Sequence, residues 1–470
     1  MSTLHMLVGI QGSGKSTYAK KLSKEFNAPI ISSDIIRNLH PDWEEALIFP
    51  EVYRLCSEYL KQGIDVIADS TSITPKVRAR YIETVASYGV EFNTAAYFIN
   101  VPYEICYERV SKRNKNPEER YLPLEVIVSY ASRLIPPTVE EGFSYVRVVD
   151  QVKETLLKDL IVDERQGYAF YMKAGNSIIE RYSGKKIWGG NDLIDRYTNF
   201  RLASVTKQFI ARAIVDLVND GVISYFTFLC DIYPDLPSCF REIKIINLLN
   251  HTSGIPDYED MPHGEEQIQD EDILDFLMHV KQLYFEPGEK YQYSNTAYVL
   301  LGLIIEKMSK INLGEYIKDH VFNKANMRNS FVNYQGITNV FNRAYGHSIK
   351  NNEVLLTDQY WCSATIGDGG LYSSVDDLVK WLDFIESDEA TKVMFKPNIL
   401  PNGTNSEYGM GIRIIKCDED EIIYHCGETI GTNTVIGFIP KKNIKFIFLT
   451  NLNGINCAKF IKNLEYYLNK

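Results

Sequence analysis

The feature that most constrains the fold is a glycine-rich loop near the start of the chain. Gly9-Ile-Gln-Gly-Ser-Gly-Lys-Ser16 joins an apolar strand pattern to a helical pattern at Tyr18–Phe26. In this arrangement backbone N–H groups curl around a phosphate, the lysine contacts the β- and γ-phosphates of ATP, and the serine holds Mg²⁺. The alternative is a glycine-rich turn that binds nothing. The predicted ATP-binding residues are Gly9, Gly12, Ser13, Gly14, Lys15, Ser16 and Thr17, with Ser16 as the metal ligand.

Strand and helix patterns alternate after this loop. Strands are predicted at Pro29–Arg37, Gly63–Thr71 and Ala95–Val101, and helices at Glu51–Gln62, Pro75–Tyr88 and Tyr103–Arg113. Asp34 and Arg37 are placed at the end of the second strand, and Asp69 at the carboxyl end of the third, where open α/β sheets bind ligands. The alternation predicts an α/β domain with a parallel sheet and helices on both sides.

A basic cluster follows these elements, comprising Arg109, Lys112, Arg113, Lys115 and Arg120. A solvated helix end explains such a cluster without any function. Beside a phosphate-binding loop, however, mobile arginines neutralise charge on the phosphoryl group that is transferred.

These motifs resemble the kinase domain of phage-type polynucleotide 5′-hydroxyl kinases over about the first 145 residues. The matching pieces are the loop at Gly9–Thr17, D-x-x-R at Asp34–Arg37, V-I-A-D-S-T followed by Arg78 or Arg80, and S-K-R at Ser111–Arg113. The resemblance implies a phosphotransferase that depends on ATP and Mg²⁺.

By the same resemblance Asp34 accepts the proton of the acceptor hydroxyl and Arg37 places the acceptor's phosphate. Arg113, together with Arg109, contacts the ATP phosphates, and Asp69 helps to hold metal or acceptor. The phosphatase half of the phage enzyme is absent from this sequence. The acceptor therefore stays open between a 5′-hydroxyl nucleic-acid end and a small molecule.

The length of 470 residues suggests two or three domains. A charged, amphipathic segment at Asp150–Glu164 contains no Gly, Ser or Pro and predicts a helical linker. We therefore expect an ATP-binding domain at 1–150, a linker at 151–163 and a second domain at 164–470. The net charge of −11 argues against a broad nucleic-acid platform and leaves only a local, end-recognising contact.

The eight cysteines form no C-x-x-C pair, which predicts reduced, mostly buried thiols. No uninterrupted apolar run reaches membrane-spanning length, and the first strand begins too early to leave room for a signal peptide. These features predict a cytoplasmic protein without a membrane partner.

The second domain contains Phe200-Arg-Leu-Ala-Ser-Val-Thr-Lys207, which leads into apolar residues at helical spacing up to Gly221. On a helix Ser204 and Lys207 share one face, and a desolvated amine can take the proton of a serine hydroxyl. The S-x-x-K motif is weak alone, because Ser183–Lys186 matches it as a hairpin turn.

Tyr291-Gln-Tyr-Ser-Asn295 supplies a phenol and an amide that can complete a site around the serine and the lysine. The phenol of Tyr293 can relay protons beside a lysine, and the amide of Asn295 can hydrogen-bond both the lysine and a substrate. Tyr197-Thr-Asn199 also fits Y-x-N but does not precede a helix. His425, in His-Cys-Gly427, is more often structural unless a site assembles around it.

Helical patterns occupy the middle of this domain, and strand patterns occupy both of its ends. This order predicts an α+β domain in which one antiparallel sheet is built from the two termini beside a helical subdomain.

The second domain resembles the class C β-lactamase and penicillin-binding-protein superfamily of serine hydrolases. S-V-T-K, L-L-N-H-T-S-G-I-P, F-E-P-G, Y-S-N, G-G-L-Y-S-S and H-C-G occur in the family's order across residues 165–470. The resemblance implies that Ser204 is acylated, that Lys207 and Tyr293 share acid and base work, and that Asn295 positions the substrate. His425 and Gly427 line the site, and the backbone N–H groups of Ser204 and Glu428 form the oxyanion hole.

One departure is that H-C-G replaces K-T-G, so the cation for a substrate carboxylate is at best a weakly charged histidine. An esterase or amidase for a small ester, amide or peptide is therefore favoured over a β-lactamase or transpeptidase. We expect a bifunctional fusion of kinase and hydrolase. The alternatives are a hydrolase regulated by a nucleotide-sensing module, and a hydrolase fold that serves only as a binding scaffold.

Overall fold

The computed structural model describes residues 1–101, 103–116, 121–150, 160–175, 177–417 and 419–468. These residues form two compact units, one ending at residue 150 and one starting at residue 160. Most of the predicted helical linker at 151–163 lies outside the described residues, so the linker and the domain bounds stay predictions.

The first unit contains a five-stranded parallel sheet in the order β2-β3-β1-β4-β5. Its strands are β1 (Thr3–Val8), β2 (Ile30–Ser32), β3 (Val66–Asp69), β4 (Asn93–Asn100) and β5 (Tyr145–Asp150). β1 lies at the centre, with Leu4 opposite Val66 on one side and Thr94 on the other. Leu4, Met6 and Val8 are fully buried, as expected for a strand covered on both faces.

The helices of the first unit are α1 (Lys15–Phe26), α2 (Ser33–Leu39), α3 (Glu45–Lys61), α4 (Pro75–Ala86), α5 (Tyr103–Arg113) and α6 (Leu124–Ala131). The predicted alternation of strands and helices is confirmed, and β5 and α6 are additional elements. This parallel sheet with its helices confirms the predicted α/β class.

The placement of Asp34 and Arg37 at the end of a strand is wrong. β2 ends at Ser32, and both residues lie in α2. The hydroxyl of Ser32 accepts the backbone N–H of Ile35 at 3.1 Å and so caps the helix. A carboxylate in the first helical turn is further favoured by the helix dipole.

The second unit is built around a six-stranded antiparallel sheet in the order β13-β14-β15-β16-β6-β7. Its strands are β6 (Tyr168–Ala174), β7 (Ser177–Ser183), β13 (Arg413–Cys417), β14 (Asp420–Thr429), β15 (Thr432–Ile439) and β16 (Ile444–Thr450). The prediction of one antiparallel sheet made from both ends of the domain is confirmed. The smaller sheets comprise β8 (Phe200–Arg201), β9 (Phe331–Val332), β10 (His347–Lys350), β11 (Glu353–Leu356) and β12 (Leu371–Ser373).

The helices of the second unit are α7 (Thr206–Asn219), α8 (Leu229–Ile232), α9 (Ile245–Leu249), α10 (Asp270–Leu277), α11 (Asn295–Ser309), α12 (Leu313–Tyr316), α13 (Val375–Ser387) and α14 (Cys457–Leu468). α7 is buried along almost its whole length and packs against α11. Its buried Arg212 is paired with Asp216 and Asp388, which compensates for the cost of burying the charge. α7 therefore forms the centre of this unit.

The continuous helical pattern from Phe200 to Gly221 is divided in the structure. Phe200 and Arg201 form β8, which pairs with β12, and the 3₁₀ turn Ala203–Val205 precedes α7. All eight cysteines are free, three of them buried and five partly exposed. Among the described residues, no helix combines the length and the apolar character needed to cross a bilayer.

Candidate functional site

The second unit brings Ser204 and Lys207 together at the start of α7. The side chain of Lys207 donates a hydrogen bond of 3.2 Å from Nζ to Ser204 Oγ. Ala203, which precedes the serine, has a φ of 47°, a left-handed conformation that non-glycine residues adopt where the surrounding structure imposes it. The serine hydroxyl therefore lies within proton-transfer distance of an amine.

Three acceptors surround the fully buried Nζ of Lys207. Besides the serine oxygen, they are Asn295 Oδ1 at 2.7 Å and the main-chain oxygen of Asp368 at 2.9 Å. Asn295 is the first residue of α11, and Ser294 caps this helix with its hydroxyl. The start of α11 thus holds the amide against the lysine, whose nitrogen has three oxygen neighbours.

Tyr293 contacts Lys207 with its ring. The Nζ of Lys207 lies 5.0 Å from the ring centroid, a cation–π distance. The buried hydroxyl of Tyr293 has no hydrogen-bond partner among the described residues. His251 packs at 4.3 Å on this ring, and its Nδ1 accepts the backbone N–H of Ser294 at 3.1 Å. Hydroxyl and amine from the start of α7 and the phenol from the segment before α11 therefore meet at one site.

His425 is buried in β14. Burial, with the nearby positive charges of Arg413 and Lys207, holds its pKa well below the usual range. Its Nε2 is 3.0 Å from the hydroxyl of Tyr408, and its Nδ1 is 2.7 Å from the carbonyl of Cys426. A lowered pKa agrees with the expectation that this histidine is at best a weak cation, and its role in the site stays a prediction.

The positive charge lies on the neighbouring strand. The guanidinium of Arg413, in β13, is 5.6 Å from the ring of Tyr293 and 5.8 Å from that of Tyr408. Arg413 pairs opposite Tyr424, the residue before His425. No local motif marks Arg413, because its place depends on how two strands pair.

Gly427 allows β14 to approach the segment that carries the serine. A Cβ at this position would lie 2.2 Å from the carbonyl oxygen of Leu202 and 2.3 Å from the hydroxyl of Thr434. Ser204 and Glu428 consequently line the same small cleft, of about 40 Å³.

An acidic group beside the serine was missed by the sequence reasoning. Glu259 and Asp368 line the cleft with Ser204, and Asp257 accepts the backbone N–H of Asn295 at 2.6 Å. Partial burial, together with the negative charges of Asp368 and Asp257, raises the pKa of Glu259 to about 7. Glu259 also hydrogen-bonds the side chain of Asn295. The signal was present, since these acids flank the T-S-G-I-P and G-G-L-Y-S-S motifs.

The first unit places its glycine-rich loop between β1 and α1. Gly12 has a φ of 81°, and a Cβ there would lie 2.5 Å from the carbonyl oxygen of Cys106. Lys15 is buried, which lowers its pKa, and its Nζ donates to a carbonyl of the loop at 2.8 Å. The hydroxyl of Ser13 is buried without a partner among the described residues and can donate a hydrogen bond. This combination fits an anionic phosphate.

A cavity of about 430 Å³ opens beside the loop. The predicted residues that line it are Gly12, Gly14, Lys15, Ser16, Thr17, Asp34, Asp69 and Arg113, whereas Gly9 and Ser13 belong to the loop without lining it. Ser16 hydrogen-bonds the carboxylate of Asp69, whose pKa is raised by burial. A hydroxyl next to a carboxylate provides the oxygen ligands that Mg²⁺ prefers, so these residues fit Mg²⁺ with ATP.

The arginines of this unit differ in their surroundings. Arg113 lines the cavity, and its Nε is buried without a partner among the described residues. Arg37 donates to Asp34 Oδ1 at 2.8 Å and to Glu45 Oε2 at 3.0 Å. Arg78 is completely buried and ion-paired with Glu141 at 2.6 Å, so it stabilises the fold instead of contacting a ligand.

Comparison with known proteins places this geometry in a family. Residues 162–462 match the Beta-lactamase family model. The chain belongs to the β-lactamase family. Residues 4–137 match the model of an AAA domain. The predicted fusion of these two kinds of domain is thereby confirmed, whereas the likeness to polynucleotide kinases stays a prediction.

The β-lactamase-family unit has several curated relatives. Penicillin-binding protein 4* of Bacillus subtilis (strain 168) is 30% identical over 275 residues, which are 54% of this chain and 60% of that protein. The D-aminopeptidase of Gluconobacter oxydans (strain 621H) is 25% identical over 266 residues, 54% of this chain and 49% of that protein. The chain thus spans about half to three fifths of the length of these relatives.

Solved structures share the fold of this β-lactamase-family unit. The D-amino acid amidase of Ochrobactrum anthropi SV3 in complex with D-phenylalanine has a TM-score of 0.58 at 21% identity, covering 68% of this chain and 98% of that one. The octameric penicillin-binding protein homologue of Pyrococcus abyssi has a TM-score of 0.59 at 25% identity, covering 68% and 77%. The predicted α+β class is therefore confirmed.

Proposed function

We propose that the second unit hydrolyses small amides, peptides or esters through an acyl-serine intermediate. The observation that carries this proposal is the 3.2 Å hydrogen bond between Lys207 Nζ and Ser204 Oγ at a buried site. A serine hydroxyl becomes a nucleophile when a nearby base accepts its proton.

In this proposal Ser204 Oγ attacks the substrate carbonyl carbon while Lys207 takes the hydroxyl proton. The backbone N–H groups of Ser204 and Glu428 stabilise the charge that develops on the carbonyl oxygen. Tyr293, whose ring packs against Lys207 and whose buried hydroxyl has no partner among the described residues, passes a proton to the leaving group. Water then hydrolyses the acyl-enzyme by the reverse proton transfers, and Asn295 orients both the lysine and the substrate.

The acidic group favours a substrate that carries an amine. Glu259 and Asp368 line the cleft beside Ser204, and ionised carboxylates there attract a protonated amino group. The D-aminopeptidase and D-amino acid amidase relatives support the same substrate class by their names. We therefore propose amino-acid amides or short peptides with a free amino terminus.

The test compares hydrolysis of D- and L-phenylalanine amides with that of the N-acetylated amides. We expect the free amines to be cleaved faster, and we expect Ser204→Ala to abolish cleavage. Equal rates for free and acetylated amides contradict the proposed substrate class, and cleavage by Ser204→Ala contradicts the mechanism.

We further propose that the first unit is a phosphotransferase that uses ATP and Mg²⁺. The buried, unpaired hydroxyl of Ser13, in the same loop as the buried Lys15, supports a phosphate ligand, because both groups can donate to phosphate oxygens. Asp34 lines the same cavity and is proposed as the base for the acceptor hydroxyl. Ser16 and Asp69 would hold Mg²⁺, which would neutralise negative charge on the phosphates of ATP.

Incubation with γ-labelled ATP and candidate alcohols tests this second function. Label on an acceptor that disappears in Asp34→Ala supports phosphotransfer. ATP binding without transfer to any acceptor favours the nucleotide-sensing alternative.

A further inference from the structure

The cavity beside the glycine-rich loop is also lined by side chains that do not bind phosphate. Six apolar or aromatic side chains line it in addition to the loop and the carboxylates: Phe49, Tyr53, Ile73, Val77, Tyr81 and Tyr130. They come from α3, α4, α6 and the segment after β3. The whole cavity of about 430 Å³ lies in the size range of small-molecule sites.

The aromatic residues of this cavity contact one another. Tyr53 meets Tyr81 edge-to-face, with ring centroids 4.8 Å apart at an angle of 89°, and Phe49 lies 6.1 Å from Tyr53. Tyr81 is buried, which fixes this arrangement, whereas Phe49 is 38% exposed. A phenylalanine exposed at a cavity wall loses water when a flat ligand packs against it.

The positively charged side chains at and near the cavity fall into two groups, those beside the phosphate-binding loop and Arg37, which is paired with carboxylates. Among the described residues that line it, the cations are Lys15, in the glycine-rich loop, and Arg113, proposed to contact the ATP phosphates. Arg133 does not line the cavity but lies 4.9 Å from the ring centroid of Tyr130. Arg37, the cation proposed to hold an acceptor phosphate, donates from Nε to Glu45 and from Nη1 to Asp34 and Ser33. Its remaining terminal nitrogen also bonds Glu45. Its charge is thus already matched by carboxylates.

A nucleic-acid end is therefore a poor match for this part of the cavity. Each added nucleotide brings a negative charge that basic side chains must neutralise. Besides the rings and aliphatic carbons, the described lining residues outside the loop and Arg113 offer only neutral hydroxyls and the carboxylates of Asp34 and Asp69; the hydroxyls belong to Ser33, Ser70, Thr71 and Ser72.

We propose that the phosphoryl acceptor is a small, uncharged alcohol that carries a flat ring. The ring packs against Phe49 and Tyr53, and the hydroxyl lies at Asp34. This inference rests on the proposed phosphotransferase function and names its substrate class.

The reaction then follows from these positions. The acceptor oxygen forms a bond to the γ-phosphorus of ATP, and the bond from that phosphorus to the β–γ bridging oxygen breaks. The hydroxyl proton passes to the carboxylate of Asp34. The products are the phosphomonoester and ADP.

The experiment offers γ-labelled ATP and Mg²⁺ to the full chain with four acceptors. Thymidine and 2-phenylethanol carry a ring without charge, glycerol carries no ring, and a 5′-hydroxyl oligothymidylate carries the charged backbone. We expect label on a ring-bearing alcohol at a rate at least about tenfold above that for glycerol and for the oligonucleotide, as the loss of one stacking contact predicts. A preference for the oligonucleotide or glycerol, or label on neither ring-bearing alcohol while ATP is bound, overturns the inference.

Substitutions in the cavity wall test where the acceptor binds. Phe49→Ala and Tyr53→Ala are expected to raise the acceptor KM about tenfold and to leave the KM for ATP unchanged. Tyr88→Ala is the matched control, because Tyr88 is an exposed aromatic residue of the same unit that does not line the cavity. Saturation-transfer NMR on thymidine reports binding without turnover. An equal loss in Tyr88→Ala, or unchanged acceptor KM and NMR signal in both cavity variants, contradicts the proposal.

Failure of the underlying function has a different signature. If ATP does not bind, or binds equally well to Lys15→Met, the phosphotransferase proposal itself is wrong. If ATP binding depends on Lys15 and label reaches only the oligonucleotide, the function stands and the acceptor class is wrong.

Discussion

The Nζ of Lys207 lies 3.2 Å from Ser204 Oγ while also bonding Asn295 and the carbonyl of Asp368. Because the lysine is fully buried, its position is fixed by these three acceptors. The geometry of the site therefore depends on the start of α11 and on the loop before β12 as much as on α7.

Replacing Lys207 by methionine, which keeps the side chain long and apolar, removes the proposed base. We expect kcat/KM for a chromogenic ester to fall about 10²- to 10⁴-fold, the range that general base catalysis contributes. Lys186→Met is the control, since Lys186 belongs to the other S-x-x-K match. Similar losses in both variants would argue against a special role for Lys207.

Gly427→Ala introduces a Cβ 2.2 Å from the carbonyl oxygen of Leu202. We expect a loss of stability of about 1–3 kcal/mol and a loss of ester hydrolysis, because β14 must move away from the serine. Thermal unfolding and turnover measure the two effects. Gly264→Ala is the control, as its nearest neighbour outside the adjacent residues lies 3.9 Å from the added carbon. A fully active Gly427→Ala variant contradicts the close approach.

Glu259 gives the site a pH dependence. Its raised pKa of about 7 means that it binds an amine as a carboxylate only above that pH. We expect the KM for an amino-acid amide to fall as pH rises through 7, and Glu259→Gln to remove this change. The KM for an ester without an amine is expected to lack the inflection at 7. If the inflection in KM persists in Glu259→Gln, it belongs to another titrating group, and the role given to Glu259 is contradicted.

The raised pKa of Glu259 also makes the stability of the folded protein depend on pH. Since the folded pKa exceeds the unfolded value, the folded state binds more protons between about pH 4.5 and 7. The contribution of Glu259 to the free energy of unfolding is therefore fully present below this window and is lost as pH rises through 7.

Nucleotide binding is tested by thermal shift. We expect ATP with Mg²⁺ to raise the Tm for unfolding of the first unit in the wild-type chain, because a ligand that binds only the folded state stabilises it. Lys15→Met should abolish this shift. Lys24→Met, an exposed lysine in the last turn of the same helix, should keep it. A shift that is equal in both variants contradicts the role of Lys15.

Local motifs predicted those parts of the site that are close in sequence. Ser204 and Lys207 are three residues apart, and Tyr293 and Asn295 directly precede an apolar helix. Arg413 was missed because only the pairing of β13 with β14 brings it to the ring of Tyr293.

The error at Asp34 and Arg37 has a different origin. The segment Pro29–Arg37 is a short run rich in isoleucine, and such runs fit a buried strand or a helix equally well. The hydroxyl of Ser32 caps this segment and stabilises a helix, and the apolar pattern alone does not show this. β5 was missed because its pairing with β4 is a contact between distant segments.

The most direct measurement of the central claim is intact-mass analysis after treatment with a fluorophosphonate. The account predicts a single adduct on the wild-type chain that is lost in Ser204→Ala and retained in Ser183→Ala. An adduct that survives in Ser204→Ala, or a wild-type chain that forms none, would contradict the claim that Ser204 is the activated nucleophile.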